Sequence, residues 1–120
     1  MENVMIAVCN VGAAGTANVP MFRVPSGHGG ITLLNAWIMC NTAATIGTGQ
    51  LNNNGTSLGT AISATVGTLA VASGTFVAGV PKAITITTAY QAAATWLAFQ
   101  AVTGAGATGT NIILEYKYGK

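Results

Sequence analysis

The stretch Gly55-Thr56-Ser57-Leu58-Gly59 matches G-x-S-x-G, the turn on which serine hydrolases present their nucleophile. A working serine needs a histidine base and an acid to orient that base. The chain has one histidine, His28, no Asp, and two glutamates, Glu2 and Glu115. His28 precedes Ser57, whereas the α/β-hydrolase order places histidine last, and both glutamates lie near the chain ends. No amphipathic helix pattern follows Leu58. Ser57 is therefore expected to be a surface serine on the outgoing side of an Asn54-Gly55 turn, where Asn-Gly supplies the positive φ angles of a type I′ hairpin. No enzymatic activity is expected.

Two other groupings invite chemistry. Ser26-Gly27-His28-Gly29-Gly30 has the glycine content of a phosphate loop, but it carries no Lys and leads into a strand pattern rather than a helix. It reads as a tight connection in which Gly27, Gly29 and Gly30 permit φ > 0, with His28 exposed. Cys9, Cys40 and a single His offer too few soft ligands for a structural zinc. No metal and no cofactor are expected. The cysteines lie 31 residues apart without a C-x-x-C spacing; a disulfide between neighbouring strands is geometrically possible, and two buried thiols are the expectation.

The elements that must position these residues are constrained by composition. Of 120 residues only 5% are charged, against about 25% in an average soluble domain. Hydrophobic residues make up 51%, and mean hydropathy is +0.56. Such a surface is either covered by Thr, Ser, Asn, Gln and Gly or hidden in an assembly, and the second is expected. Nucleic acid is not an expected partner, because Arg23, Lys82, Lys117 and Lys120 form no cluster beyond the C-terminal tip. Residues 67–80 are too short and too broken by Gly, Ser and Thr to suggest a membrane span. Glu2 stands where a signal peptide carries Lys or Arg, so synthesis in a cytoplasm is expected.

The chain reads as all-β: an antiparallel jelly roll or β-sandwich of about eight short strands. Residues 30–40 alternate with Ile31, Leu33, Asn35, Trp37 and Met39 on one face and Thr32, Leu34, Ala36, Ile38 and Cys40 on the other. That strand is apolar on both sides, as if covered on both. Residues 110–120 alternate more cleanly, with Ile112, Leu114, Tyr116 and Tyr118 facing inward and Asn111, Glu115 and Lys117 outward. Further strands are expected at 3–10, 19–24, 83–88 and 94–102, with weaker signals near 46–52 and 57–66. Residues 61–73 fit either a helical stripe or a strand. Breakers fall at 11–18, 25–30, 52–55, 78–82 and 103–109. Residues 1–18 read as an N-terminal strand followed by a flexible arm, and 19–120 as one domain. Trp37 and Trp96, at strand centres, read as core, with Trp96 nearer an edge.

The segments FRVPSGHGGITLLNAW, NNNGTSLGTAI, AGVPKAITI, TWLAFQ and NIILEYKYGK together resemble small virion proteins of tailed bacteriophages. The likeness covers roughly residues 19–118. The resemblance implies a jelly-roll or sandwich fold and a role as a capsid decoration (cement) protein, often trimeric, on the outer surface of the major capsid protein. It also implies a different option, a receptor- or glycan-binding module of a head fibre or tail. Arg23, His28 and Lys82 are the interface residues named for the first reading, and Tyr90 and Trp96 the stacking residues for the second. The expected location is the virion, assembled in the bacterial host cytoplasm.

Overall fold

The computed structural model describes residues 3–14, 17–41, 48–59, 61–70, 78–103 and 107–120. Alternating apolar residues there form nine strands: β1 (Met5–Ala14), β2 (Val19–Arg23), β3 (Ile31–Met39), β4 (Thr48–Asn53), β5 (Ala64–Ala70), β6 (Lys82–Ile86), β7 (Tyr90–Gln91), β8 (Trp96–Thr103) and β9 (Ala107–Tyr118). Their order is β1-β9-β3-β6-β5-β4-β8-β2, with β7 added beside β3. All the ladders are antiparallel.

With two-residue β7 set aside, the pairing is that of a ribbon wound on itself. The first strand pairs with the last (β1·β9), the second with the next to last (β2·β8), then β3·β6 and β4·β5. This is the jelly roll expected from the sequence. Only two residue pairs, Gly67↔Ile86 and Thr68↔Thr85, join β5 to β6. The chain thus forms two sheets, β1-β9-β3-β6 and β5-β4-β8-β2, hinged at that seam. Between them lie Val24, Ile31, Ile38, Leu51, Leu97, Phe99, Ile112 and Leu114, all almost fully buried. Each such side chain contributes roughly 1.5–3 kcal/mol relative to exposure.

Several expectations are corrected in detail. Strand β3 does not keep one alternation: its register on β9 shifts between Leu33 and Asn35, so Leu34 is an extra residue. A bulge of this kind swaps the faces. Ile31 and Leu33 point inward before it, Ala36 and Ile38 after it, and Trp37 and Met39 are half-buried on the outer face. The strand is apolar at both parities because its inner face changes parity halfway, and Trp37 is not core. Residues 61–73 resolve as strand over Ala64–Ala70, and 71–73 lie outside the described residues. The breaker expected at 11–18 does not stop β1, which continues to Ala14 through register shifts around Gly12. The part of 1–18 expected as an arm therefore begins within a laddered strand; Gly15 and Thr16 lie outside the described residues.

Candidate interaction surface

The G-x-S-x-G stretch lies in the connection between β4 and β5, with Ser57 exposed and its carbonyl accepting from Gly59 N at 3.0 Å. Gly55 has φ +74°, but among the described non-glycine residues only Ala94 has positive φ. Asn54 is therefore not the first centre of a type I′ turn. Its carboxamide is instead buried structure. Asn54 Nδ2 donates to Gly59 O at 2.9 Å, and Asn54 Oδ1 accepts from Asn18 Nδ2 at 2.9 Å. Asn52 Nδ2 in turn donates to Asn18 Oδ1 at 3.0 Å. Asn53, one residue out of phase, serves the opposite side: its Nδ2 donates to Gln91 Oε1 at 2.8 Å and Thr95 Oγ1 at 3.0 Å, and its Oδ1 accepts from Gly55 N at 2.7 Å. A run that spells a turn is thus two amide networks on either side of a strand end. Buried amides need such partners, since an unmet one costs roughly 1–3 kcal/mol.

The expected contact residues fall into separate places. Arg23, exposed at the end of β2, stands opposite half-buried Trp96 in the ladder with β8. Lys82 opens β6 opposite Ile38. His28 and Tyr90 meet at one corner of the fold. The His28 ring lies 4.1 Å from the Tyr118 ring, and Tyr118 meets Tyr116 edge-on at 5.9 Å. Tyr90 donates its hydroxyl to Gly29 O at 3.0 Å, while Lys120 Nζ sits 4.8 Å above its ring. Gly30 closes this corner: φ is +88°, and a Cβ there would meet Gln91 O at 2.5 Å. Positive φ is found at Gly29 and Gly30 but not at Gly27.

Cys9 and Cys40 are both free and buried. Burial pushes the Cys9 thiol up to about 11. Burial also raises Cys40, partly offset by its contact with the Thr110 hydroxyl. Among the described residues no group of three or more His, Cys, Asp or Glu is placed to hold a metal ion.

The surface that sequence reasoning missed is the outer face of the β1-β9-β3-β6 sheet. Ladder register aligns Val8 of β1, Ile113 of β9, Trp37 of β3 and Ala83 of β6 in one row across four strands. Asn10, Asn111 and Met39 form the row on one side of it. On the other side stand Ile6, Glu115 and Asn35, where the Asn35 amide donates to Glu115 Oε1 at 2.9 Å. Ile6 and Val8 are each 66% exposed, and Val4 52%. A single exposed apolar residue is ordinary, whereas an apolar row across four strands is a candidate contact surface. The only related signal in the sequence was the scarcity of charge, which does not locate any apolar row. Comparison with family models, curated proteins and solved structures gave no match to this chain.

Proposed function

We propose that this chain is a capsid decoration (cement) protein of a tailed bacteriophage, docking on the major capsid protein through the outer face of its β1-β9-β3-β6 sheet. The observation that carries the proposal is the apolar row Val8–Ile113–Trp37–Ala83 with exposed Ile6 beside it. The sequence resemblance and the jelly roll support it. Covering that row gains about 25 cal/mol for each Å² of apolar surface removed from water. A protein that binds the assembled shell and not the free subunits stabilises the shell by mass action, about 2.7 kcal/mol per site at a hundredfold excess over Kd. No reaction is involved.

Few charges are available to this contact, so it resists salt. Retention on purified shells should persist near 1 M salt, where the Debye length is about 3 Å; shells stripped by moderate salt would sink this mechanism. The substitution Ile113→Lys, at a half-buried position outside the core, should release the protein from shells and lower their melting temperature to that of bare shells. Full retention of a folded Ile113→Lys variant would place the contact elsewhere.

The competing glycan-binding reading would use Tyr90 and Trp96. Within the fold Lys120 already lies over the Tyr90 ring and the Tyr90 hydroxyl is engaged by Gly29, which favours decoration. Glycan binding abolished by Trp96→Ala would reverse that preference.

A further inference from the structure

The two ends of the strand order are guarded differently. Strand β2 is short, contains Pro20, ends in exposed Arg23 and shifts register between Pro20 and Phe22. Each of these blunts an edge against pairing with another chain. Strand β1, Met5–Ala14, has the sequence MIAVCNVGAA, with no charge and no proline. It is regular from Met5 to Asn10, and among the described residues no ladder covers its outer side. Val4, Met5 and Ile6 are all exposed, so the start of the strand is open on both faces.

We propose that β1 is a self-association edge, pairing antiparallel with β1 of a second copy of this chain about a two-fold axis. Of the two ends of the strand order among the described residues, β2 is guarded, and β7 offers only two residues, so β1 of one copy meets β1 of another. With both strands uncharged, no like charges face each other. Register follows from the pleat. Opposed residues in an antiparallel ladder share a face, and the regular run Met5–Asn10 centres between Ala7 and Val8, so either can lie on the axis. Val8 there would set Ile6 against Asn10, whereas Ala7 opposite Ala7 of the second copy sets apolar against apolar and is the register proposed. Ile6 then lies opposite Val8, and Val8 opposite Ile6. The two apolar outer faces become one continuous surface of doubled width, which stays open. The edge is roughly 20 Å long in its regular part, and one strand of that length presents less surface than the roughly 800 Å² per partner of a standard interface. The pair is therefore reversible and concentration-dependent. It is a two-fold assembly, in place of the three-fold one that the resemblance implies, and it stands whether or not shell docking does.

The test uses the full chain alone, without shells. Sedimentation equilibrium should give twice the 12.0 kDa chain mass as concentration rises. Amide exchange in β1 should slow over the same range, while exchange in β2 should not. Ile6→Lys alone should weaken the pair about tenfold, since each cross-strand contact it removes occurs twice across the axis. Val8→Glu alone should do the same, and the double variant Ile6→Lys/Val8→Glu should restore pairing by placing opposite charges across the axis. Far-UV circular dichroism checks that every variant is folded. A monomer at all concentrations, a trimer, a pair indifferent to Ile6→Lys, or a double variant no better than the singles would each overturn the proposal.

Discussion

The outer faces of the two sheets solve the shortage of charge in opposite ways. On the β5-β4-β8-β2 sheet the central row is Gln100, Gln50 and Thr68, continued by Thr85 across the seam to β6. Amides and hydroxyls keep that row wet without an ionised group, and the exposed Arg23 stands at the edge of the same sheet. On the β1-β9-β3-β6 sheet the equivalent row is Val8, Ile113, Trp37 and Ala83. The sheets share a core, yet only one presents an apolar exterior. A chain that waters one face with neutral polar residues has the means to water both. The apolar row is thus not imposed by composition alone, and it is the feature on which the proposed docking rests.

A second contrast runs alongside. The polar side chains of β4 at 52–54 are woven into the fold, whereas the apolar outer residues of β1 and β9 support nothing inside it. Asn53→Ala should therefore have the largest effect on stability, about 3 kcal/mol, as three hydrogen bonds vanish and Gln91 Oε1 and the Thr95 hydroxyl oxygen lose the donor they accept from. Asn52→Ala should cost less, because Asn52 Oδ1 has no partner among the described residues. Urea denaturation of both variants checks the order.

Alkaline unfolding comes next. The Cys9 thiol moves from 9.0 to about 11 on folding, so the folded state holds its proton more tightly. That contribution is complete below pH 9 and is lost as pH rises through 11, up to roughly 3 kcal/mol. Tyr116, raised mainly by burial, acts in the same direction. Denaturation curves at stepped pH should show the fall, and Cys9→Ala should flatten much of it.

The smallest effects test the faces directly. Ile113→Thr should change stability by no more than about 0.5 kcal/mol, read by thermal melting, while reducing binding of a hydrophobic dye. Gln50→Ile should likewise leave the melt nearly unchanged but make the wet sheet dye-binding too. If Ile113→Thr instead melts the fold, the two exteriors do not differ in kind.

Much of the fold was legible because strand length and turn chemistry are local. Residues 31–39 announce themselves as an apolar, β-branched run and 110–118 by alternation; Ile112, Leu114 and Tyr116 face inward as their pattern predicts, while Tyr118, expected beside them, is exposed at the strand end. The bulge at Leu34 was not legible, since an extra residue in a run that is apolar at both parities leaves no mark. Strand β7 was missed because two residues carry no period. The Asn52–Asn54 run misled because a residue type common in turns also makes a good buried network when partners arrive from residues 18, 91 and 95. The apolar exterior escaped for the same reason as the bulge: in MIAVCNV both parities are apolar, and only the register on β9 decides which one faces out.

The Asn54-Gly55 pair has a further consequence, in chemical ageing. Asparagine before glycine decays when the glycine nitrogen attacks the side-chain carboxamide and expels ammonia to form a cyclic imide, which water then opens to an aspartate or its isomer. Here Gly55 N is held by Asn53 Oδ1, and both polar atoms of the Asn54 carboxamide are bound. The attacking atom and its target are each tied to other partners, so the folded chain shelters a bond that the unfolded chain exposes. The same three asparagines that close the end of β4 thereby set how long the protein keeps its written sequence.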